Sequence, residues 1–166
     1  MNRVATFDSS FWIHAVYLDL VDFLLEDFEL ICAKEVEREL GRDNPTSRRL
    51  KGLFADKQIH LASARSAKIK LYGNGERAAI NLALDREIPL LIDDWKPFEA
   101  ARAAGVEVVN SLSYLVQLYR QERLPVEKVM DGLGRMVKRG TIKREWINFA
   151  LEVTAEIRKK GINRQG

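Results

Sequence analysis

The fold of this chain is constrained most strongly by a series of short apolar segments, each of which is followed by a helical pattern. Five of these segments are predicted to be strands, at residues 4–7, 28–33, 59–62, 89–92 and 106–109. Most of them are apolar along their length rather than alternating, which is typical of strands that are buried on both faces. Strands of this kind that alternate with helices indicate an α/β fold with a parallel sheet covered by helices on both sides.

The helical patterns divide the chain into a main part and an extension. Within the main part, helices are predicted over residues 11–26, 35–42, 46–56, 76–84, 97–104 and 111–124. Two more amphipathic helices follow Pro125, at 126–139 and 143–160. We therefore predict one α/β domain over 1–124 and a basic helical extension over 125–166. In the last helix, one apolar stripe is predicted to consist of Trp146, Phe149, Ala150, Val153 and Ile157. This stripe either packs on the protein itself, which is favoured, or contacts a dimer or antitoxin partner.

Acidic residues fall close to the carboxyl ends of the predicted strands. Asp8 ends the first strand, and Asp93 and Asp94 end the fourth. Glu39 lies in the helix after the second strand, and Glu76 begins the helix before the fourth. Ligands of open parallel sheets bind beyond the carboxyl ends of the strands. Several carboxylates gathered there, without His or Cys, are the oxygen donors that Mg²⁺ or Mn²⁺ prefers.

Each acid also has a purely structural interpretation. Asp8 before Ser-Ser could be a helix N-cap, and Glu76 would favour the positive end of a helix dipole wherever it occurs. Glu39 belongs to a charged string that suits a solvated helix face. The adjacent Asp93 and Asp94 are harder to explain in this way because their like charges repel. Since all these positions map to one edge of the predicted sheet, a functional role is favoured for the set.

Composition excludes several other kinds of site. The single cysteine, Cys32, excludes an internal disulfide and any Cys-based zinc site, and His14 and His60 have no metal-ligand spacing. No apolar run is long enough to span a membrane and no signal peptide opens the chain, so we expect a cytoplasmic protein. The net charge is +3 with a pI near 9.0, and basic residues exceed acidic ones over 34–70 and 125–166. This distribution suits a polyanion held by metal ions.

These motifs together resemble the PIN-domain family of metal-dependent ribonucleases, which includes VapC-type toxins. The resemblance covers residues 3–120. The segment Val-Ala-Thr-Phe-Asp8-Ser-Ser resembles the family's first strand ending in Asp-x-Ser, and Glu39-Leu40 resembles the end of the helix that supplies the second acid. The motif Gly-Glu76-Arg-Ala-Ala-Ile resembles Gly-Glu-Ala-Glu-Ala-Ile of one branch. The motif Leu-Leu-Ile-Asp93-Asp94 resembles the strand with the fourth acid.

The resemblance implies a three-layer α/β/α sandwich and hydrolysis of single-stranded RNA. It implies that Asp8, Glu39, Glu76 and either Asp93 or Asp94 hold Mg²⁺ or Mn²⁺, which would activate a water for in-line attack on the phosphate. It further implies a homodimer, and a toxin role would add an antitoxin partner. Residues 95–98, Trp-Lys-Pro-Phe, stand where the branch has Gly-Arg. The choice between Asp93 and Asp94 therefore stays open, as does the choice of Glu39 over Glu35 or Glu37.

Three other interpretations can be compared with the nuclease. The chain could keep the scaffold and bind RNA or a protein partner without catalysis. A phosphoacceptor receiver domain is disfavoured because the acid pair follows a late strand and no Lys follows the last one. A dinucleotide-binding domain is weaker still because no strand precedes Gly-x-Gly-x-x-Gly. For RNA backbone contacts, the sequence offers as candidates Arg48, Arg49, Lys51, Lys68 and Lys70.

Overall fold

The structure is a computed structural model that describes the backbone of residues 2–164 and the side chains of residues 2–161. It contains two compact units, Met1–Asn110 and Ser111–Gly166. The first unit is built on a five-stranded sheet, whose strands are β1 (Arg3–Phe7), β2 (Phe28–Ala33), β3 (Ile59–Ala62), β4 (Leu90–Leu91) and β5 (Val108–Val109). Every pairing is parallel, and the order is β3-β2-β1-β4-β5. The predicted α/β fold with a parallel sheet is confirmed.

The central strand of this sheet is β1, which pairs with β2 on one side and with β4 on the other. Ala5 pairs with Leu30, and Phe7 pairs with Leu91. Ala5, Thr6 and Phe7 are fully buried, as expected for a strand covered on both faces. The carboxyl end of β1 therefore lies in the middle of the sheet edge, between the ends of β2 and β4.

Helices connect the strands in the first unit. Their bounds are α1 (Ser9–Tyr17), α2 (Val21–Asp27), α3 (Lys34–Glu39), α4 (Pro45–Ala55), α5 (Asn74–Arg86) and α6 (Trp95–Ala103). The prediction of one continuous helix over 11–26 is wrong, because the chain breaks between α1 and α2. Asp19 adopts a left-handed conformation there, with φ of 58°, which ends the first helix.

Other element bounds differ by a few residues from the predicted ones. The helix α3 ends at Glu39 instead of residue 42, so Glu39 is its last residue. Pro45 begins α4 because a proline at the first helical position loses no hydrogen bond, and the Asn44 side chain caps it by accepting from the Ser47 N–H. The strands β4 and β5 are shorter than predicted, with two residues each.

The second unit contains the helices α7 (Ser111–Arg120), α8 (Val126–Arg139) and α9 (Arg144–Arg164), which pack against one another. It includes the whole predicted extension, 125–166, together with α7. Within the predicted apolar stripe of the last helix, Ala150 is buried, whereas Phe149 is 64% exposed. Ile147 and Thr154, which lie at helical spacing from Ala150, are buried with it. Within residues 2–164, no helix is long and apolar enough to cross a membrane.

Candidate functional site

Asp8 lies at the carboxyl end of the central strand and caps the helix that follows. Its backbone N–H donates to the Leu91 carbonyl at 3.0 Å, which ties it to β4. Its side chain accepts from the Phe11 N–H at 2.9 Å and from the Ser10 hydroxyl at 2.6 Å. The structural interpretation of Asp8 as an N-cap is therefore correct, and the same carboxylate faces the other acids at this edge.

The buried position of Asp8 changes its acidity. Burial raises its pKa to about 7, the two hydrogen bonds from Ser10 and Phe11 oppose the shift, and the nearby charges of Asp93 and Glu76 add to it. A carboxyl group that binds a proton near neutral pH is one whose negative charge lacks a compensating cation. Asp8 is thus a buried acid whose charged form is disfavoured by its surroundings.

Glu39 reaches the edge from the last residue of α3. One carboxylate oxygen accepts from the Ser9 hydroxyl at 2.8 Å, and the other accepts from the Gly75 N–H at 2.7 Å. A Cβ atom at Gly75 would overlap the Glu39 carboxylate, so only glycine allows this approach. Glu35 lines a separate pocket, and Glu37 acts electrostatically on Cys32. Of the three glutamates that the sequence left open, Glu39 is the one that contacts the segments carrying Asp8 and Glu76.

Glu76 projects from the first turn of α5, next to Gly73. The Glu76 carboxylate lies in the space that a Cβ atom at Gly73 would occupy. The pKa of Glu76 is raised mainly by burial, and the charges of Glu39 and Asp94 contribute in the same direction. The charge of Glu76 therefore interacts with that of Glu39 on α3 and with that of Asp94 after β4.

Asp93 and Asp94 have different environments although they are neighbours in the chain. The Asp93 carboxylate is buried, and its Oδ2 lies 2.5 Å from Nδ1 of His14 on α1. Its backbone N–H donates to Ser10 Oγ at 3.3 Å. Asp94 is exposed at the N-cap of α6, where its side chain makes no capping hydrogen bond, and its charge acts on Glu76. The side chain of Asp93 is thus paired with His14 inside the protein, whereas that of Asp94 is exposed at the carboxyl end of β4.

The five carboxylates Asp8, Glu39, Glu76, Asp93 and Asp94, called here the acidic cluster, come together at one edge of the sheet. Their donor chemistry fits a hard divalent cation, since all the donors are carboxylate oxygens. Unneutralised like charges also contribute to the raised pKa values of Asp8 and Glu76. In their present orientations, however, no three His, Cys, Asp or Glu side chains of the described residues converge closely enough to hold one ion. The carboxylate oxygens of the cluster are suitable ligands for a divalent metal ion. To bind one ion together, the acidic side chains would have to rotate towards a common point.

The basic residues proposed for RNA contacts fall into two groups. Arg48 forms an ion pair with Asp43 at 3.3 Å, and Arg49 pairs with Asp22 at 2.6 Å. The predicted contacts Lys51, Lys68 and Lys70 are exposed, and none of them forms an ion pair with another described residue. These three lysines are the ones whose charges are fully available to a polyanion.

Sequence reasoning missed the residues that hold the acids in place. His14 gave no signal, because its partner Asp93 is far away in the chain and a single His on an apolar helix face is common. The sequence also gave no sign that Glu39 contacts Ser9 and Gly75, because both residues are far from Glu39 in the chain. Ser10 was visible only as part of the Asp-x-Ser motif, whose physical basis is the hydrogen bond from Ser10 to Asp8.

A family model described as a PIN domain matches residues 4–156. Among solved structures, a PilT N-terminus domain protein from the archaeon Sulfolobus solfataricus P2 is similar at 16% identity, with a TM-score of 0.47, over 64% of this chain and 86% of that one. No curated protein matches significantly. Because the family model covers most of the chain, the protein belongs to the PIN-domain family.

Proposed function

We propose that this protein is a metal-dependent endoribonuclease that hydrolyses phosphodiester bonds of single-stranded RNA. PIN domains are typically nucleases and usually bind divalent metal ions, which supports the general class. The observation that carries the proposal is the acidic cluster, in which carboxylates from four separate segments act on one another's pKa. Asp8 is affected by Asp93 and Glu76, and Glu76 is affected by Glu39 and Asp94.

In this proposal each residue has a defined role. Asp8, Glu39, Glu76 and Asp94 hold Mg²⁺ or Mn²⁺. Such an ion supplies a bound water of lowered pKa and offsets negative charge on the phosphate. In the metal-free arrangement, Asp8 accepts hydrogen bonds from Ser10 and the Phe11 N–H, and Glu39 accepts from Ser9 and the Gly75 N–H. Asp93 positions the end of β4 through His14.

The choice of Asp94 over Asp93 as the fourth ligand follows from their hydrogen bonds. An ion that bound Asp93 would have to compete with His14 for a carboxylate that is already buried and paired. Asp94 is exposed and its carboxylate is free of hydrogen bonds to the described part of the chain. Its charge also acts on Glu76, which supports a shared role for the two acids.

The decisive experiment is cleavage of fluorescent single-stranded RNA of several sequences with Mn²⁺, Mg²⁺ or EDTA. Wild type should cleave only with a divalent ion, and Asp8→Asn should lower the rate at least about 100-fold. Asp56→Asn is the matched control, because Asp56 is an exposed carboxyl at the end of α4, away from the cluster, and its loss should leave the rate unchanged.

A non-catalytic binding module is the second candidate, and one observation favours it. No three potential ligand side chains among residues 2–161 are arranged around a common point. If this candidate is correct, RNA of every sequence stays intact with Mn²⁺. Wild type and Asp8→Asn then bind RNA equally well, or the variant binds better because a negative charge is gone.

A toxin role with an antitoxin partner, and a homodimeric state, are finer parts of the same proposal. A toxin predicts that induced expression stops growth of a bacterial host and that Asp8→Asn relieves the arrest. A homodimer predicts twice the monomer mass of 19.0 kDa in light scattering. Growth that is unaffected by active enzyme would remove the toxin part and leave the ribonuclease proposal intact.

A further inference from the structure

The loop between β3 and α5 forms a polar pocket beside the acidic cluster. Residues 63–73 of this loop have no regular secondary structure, yet the loop is fixed to α5 by the buried side chain of Asn81. Asn81 accepts from the Ile69 N–H at 2.8 Å and donates to the Ile69 carbonyl at 2.9 Å. These two hydrogen bonds pair both the N–H and the carbonyl of Ile69, as a neighbouring β-strand would do.

A second attachment comes from Arg77, on the first turns of α5. Its guanidinium donates to the Lys70 carbonyl at 3.3 Å and to Asn74 Oδ1 at 2.7 Å. Arg77 therefore holds the loop and orients the Asn74 amide at the same time. Because Asn74 Oδ1 is engaged, the group that Asn74 presents elsewhere is its Nδ2 donor.

The pocket that results has a volume of about 350 Å³ and two kinds of lining. Its small apolar part consists of Ala33, Ala64, Ala67 and Ala78. Its polar part consists of Glu35, Ser63, Arg65, Ser66, Asn74, Arg77 and Asn81, of which Arg65 pairs with Asp85 and Arg77 and Asn81 hold the loop. Across the described residues, the Glu35 carboxylate, the two hydroxyls and Asn74 Nδ2 have no protein hydrogen-bond partner. A flat ring could therefore pack against the alanine methyl groups, and the polar groups without a partner could form hydrogen bonds with its edge.

The position of the pocket relates it to the acidic cluster. It lies between α3 and α5, the two helices that carry Glu39 and Glu76 and that pack against each other. Glu35 is one turn before Glu39 on α3, and Asn74 and Arg77 flank Glu76 on α5. A strand of RNA whose phosphate lies at the cluster would therefore place a neighbouring nucleotide at the pocket, with Lys68 and Lys70 of the same loop exposed nearby.

We propose that this pocket is a base-specificity subsite that binds one unstacked guanine of the RNA substrate; the proposal rests on the ribonuclease function proposed above. Guanine alone among the RNA bases presents two adjacent N–H donors, N1–H and N2–H, beside an acceptor, O6. A carboxylate accepts from both donors, and an amide N–H donates to O6. Glu35 and Asn74 supply this combination, which makes them specificity residues of the enzyme.

The experiment compares cleavage of RNA oligomers that carry one guanine, or inosine at the same position, in a background without other guanines. Inosine lacks only the N2 amino group. Wild type should cut beside guanine about tenfold faster than beside inosine, and Glu35→Gln should cut both at similar rates. Glu37→Gln is the matched control, since it removes the same charge from the same helix outside the pocket and should keep the guanine preference. Unfolding temperatures of all variants verify that each is folded.

Two results would overturn the subsite. One is metal-dependent cleavage by wild type that is equal beside guanine and inosine. The other is a guanine preference that Glu35→Gln leaves intact. Failure of the ribonuclease proposal has a different signature, namely no metal-dependent cleavage of any oligomer by wild type. In that case, fluorescence anisotropy of the same oligomers decides, because the subsite predicts tighter binding of guanine than inosine that disappears in Glu35→Gln.

Discussion

The Glu39 carboxylate accepts a hydrogen bond from the Gly75 N–H at 2.7 Å and occupies the space that a Cβ atom at residue 75 would need. The acid of α3 is therefore positioned by the backbone of α5, one residue before Glu76. This relationship couples the geometry of two acids from distant parts of the sequence.

Gly75→Ala tests this coupling. The added methyl group would displace the Glu39 carboxylate from the Gly75 N–H, so we expect RNA cleavage to fall at least about tenfold. The free energy of unfolding should fall by no more than about 1 kcal/mol, because the end of the flexible Glu39 side chain can move aside. Urea titration and cleavage rates measure both. In a Glu39→Ala background, the same substitution should cost much less stability because the collision partner is gone.

Gly134→Ala is the control for a generic glycine effect. Gly134 lies inside α8, and a Cβ atom there would meet nothing within 4 Å. The substitution should stabilise the protein by about 0.5–1 kcal/mol through helix propensity and leave cleavage unchanged. An equal loss of stability in Gly75→Ala with and without Glu39 would contradict the packing explanation.

Asp8→Asn should raise stability at high pH and not at low pH. The pKa of Asp8 is about 7 in the folded protein against 3.8 for an unperturbed carboxyl, so the folded state binds more protons than the unfolded chain between these values. Stability contributed by the protonated group is therefore complete below about pH 4 and is lost as the pH rises through about 7. At pH 8 the asparagine, which still caps α1, should gain up to about 4 kcal/mol.

Thermal unfolding of wild type and Asp8→Asn between pH 4 and pH 8, in EDTA, measures this difference. Glu152→Gln, which removes an exposed carboxyl from α9, should follow wild type across the range. A constant difference between wild type and Asp8→Asn at every pH would show that the burial of Asp8 is not the cause.

Asp93→Asn and Asp94→Asn should have opposite profiles. Asp93 is buried against His14, so its substitution should lower the free energy of unfolding by about 1–3 kcal/mol. Asp94 is exposed and makes no capping bond, so its substitution should leave stability within about 0.5 kcal/mol while cleavage falls strongly. Urea titration of each variant, with cleavage rates at equal folded fraction, separates the two roles. The reverse pattern would make Asp93 the ligand.

Divalent ions should stabilise the wild-type protein by mass action. At an ion concentration about 100 times the dissociation constant, the gain is about 2.7 kcal/mol, or several degrees in the unfolding temperature. Titration with Mn²⁺ should give a saturable increase that EDTA reverses and that Asp8→Asn and Asp94→Asn lack. An increase of the same size in Asp8→Asn would locate ion binding away from the acidic cluster.

Much of the fold was predictable from local patterns. The apolar runs that became β1 and β2 are too short for helices, and each is followed by a helix start, whereas β3 is followed by the irregular loop 63–73. The break at Asp19 was not predictable, since no Gly or Pro marks it and the apolar pattern continues through Leu20. Phe149 belongs to the apolar stripe of the last helix but is exposed, because the apolar pattern alone does not show which part of a stripe packs against neighbouring helices.

The candidate site was predictable where it depends on strand ends and unpredictable where it depends on contacts across the sheet. The sequence places Asp8 and the Asp93–Asp94 pair at one edge because parallel strands end together. It contains no sign that His14 engages Asp93, or that Ser9 and Gly75 select Glu39 over Glu35. Those relationships join residues far apart in the chain, and only the folded structure brings them together.

The central place of β1 has a consequence for how the protein can diverge. Amide protons of Thr6 and Asp8 are bonded on the β4 side, so their exchange with solvent should require opening of the sheet itself. The loop 63–73 depends on a few side-chain attachments and can change without disturbing that core. In the proposed enzyme, the reaction depends on the acidic cluster, and the choice of target depends on the pocket that loop 63–73 forms with Glu35 and Asn74. Changes in this loop would therefore alter the target while leaving the reaction unchanged.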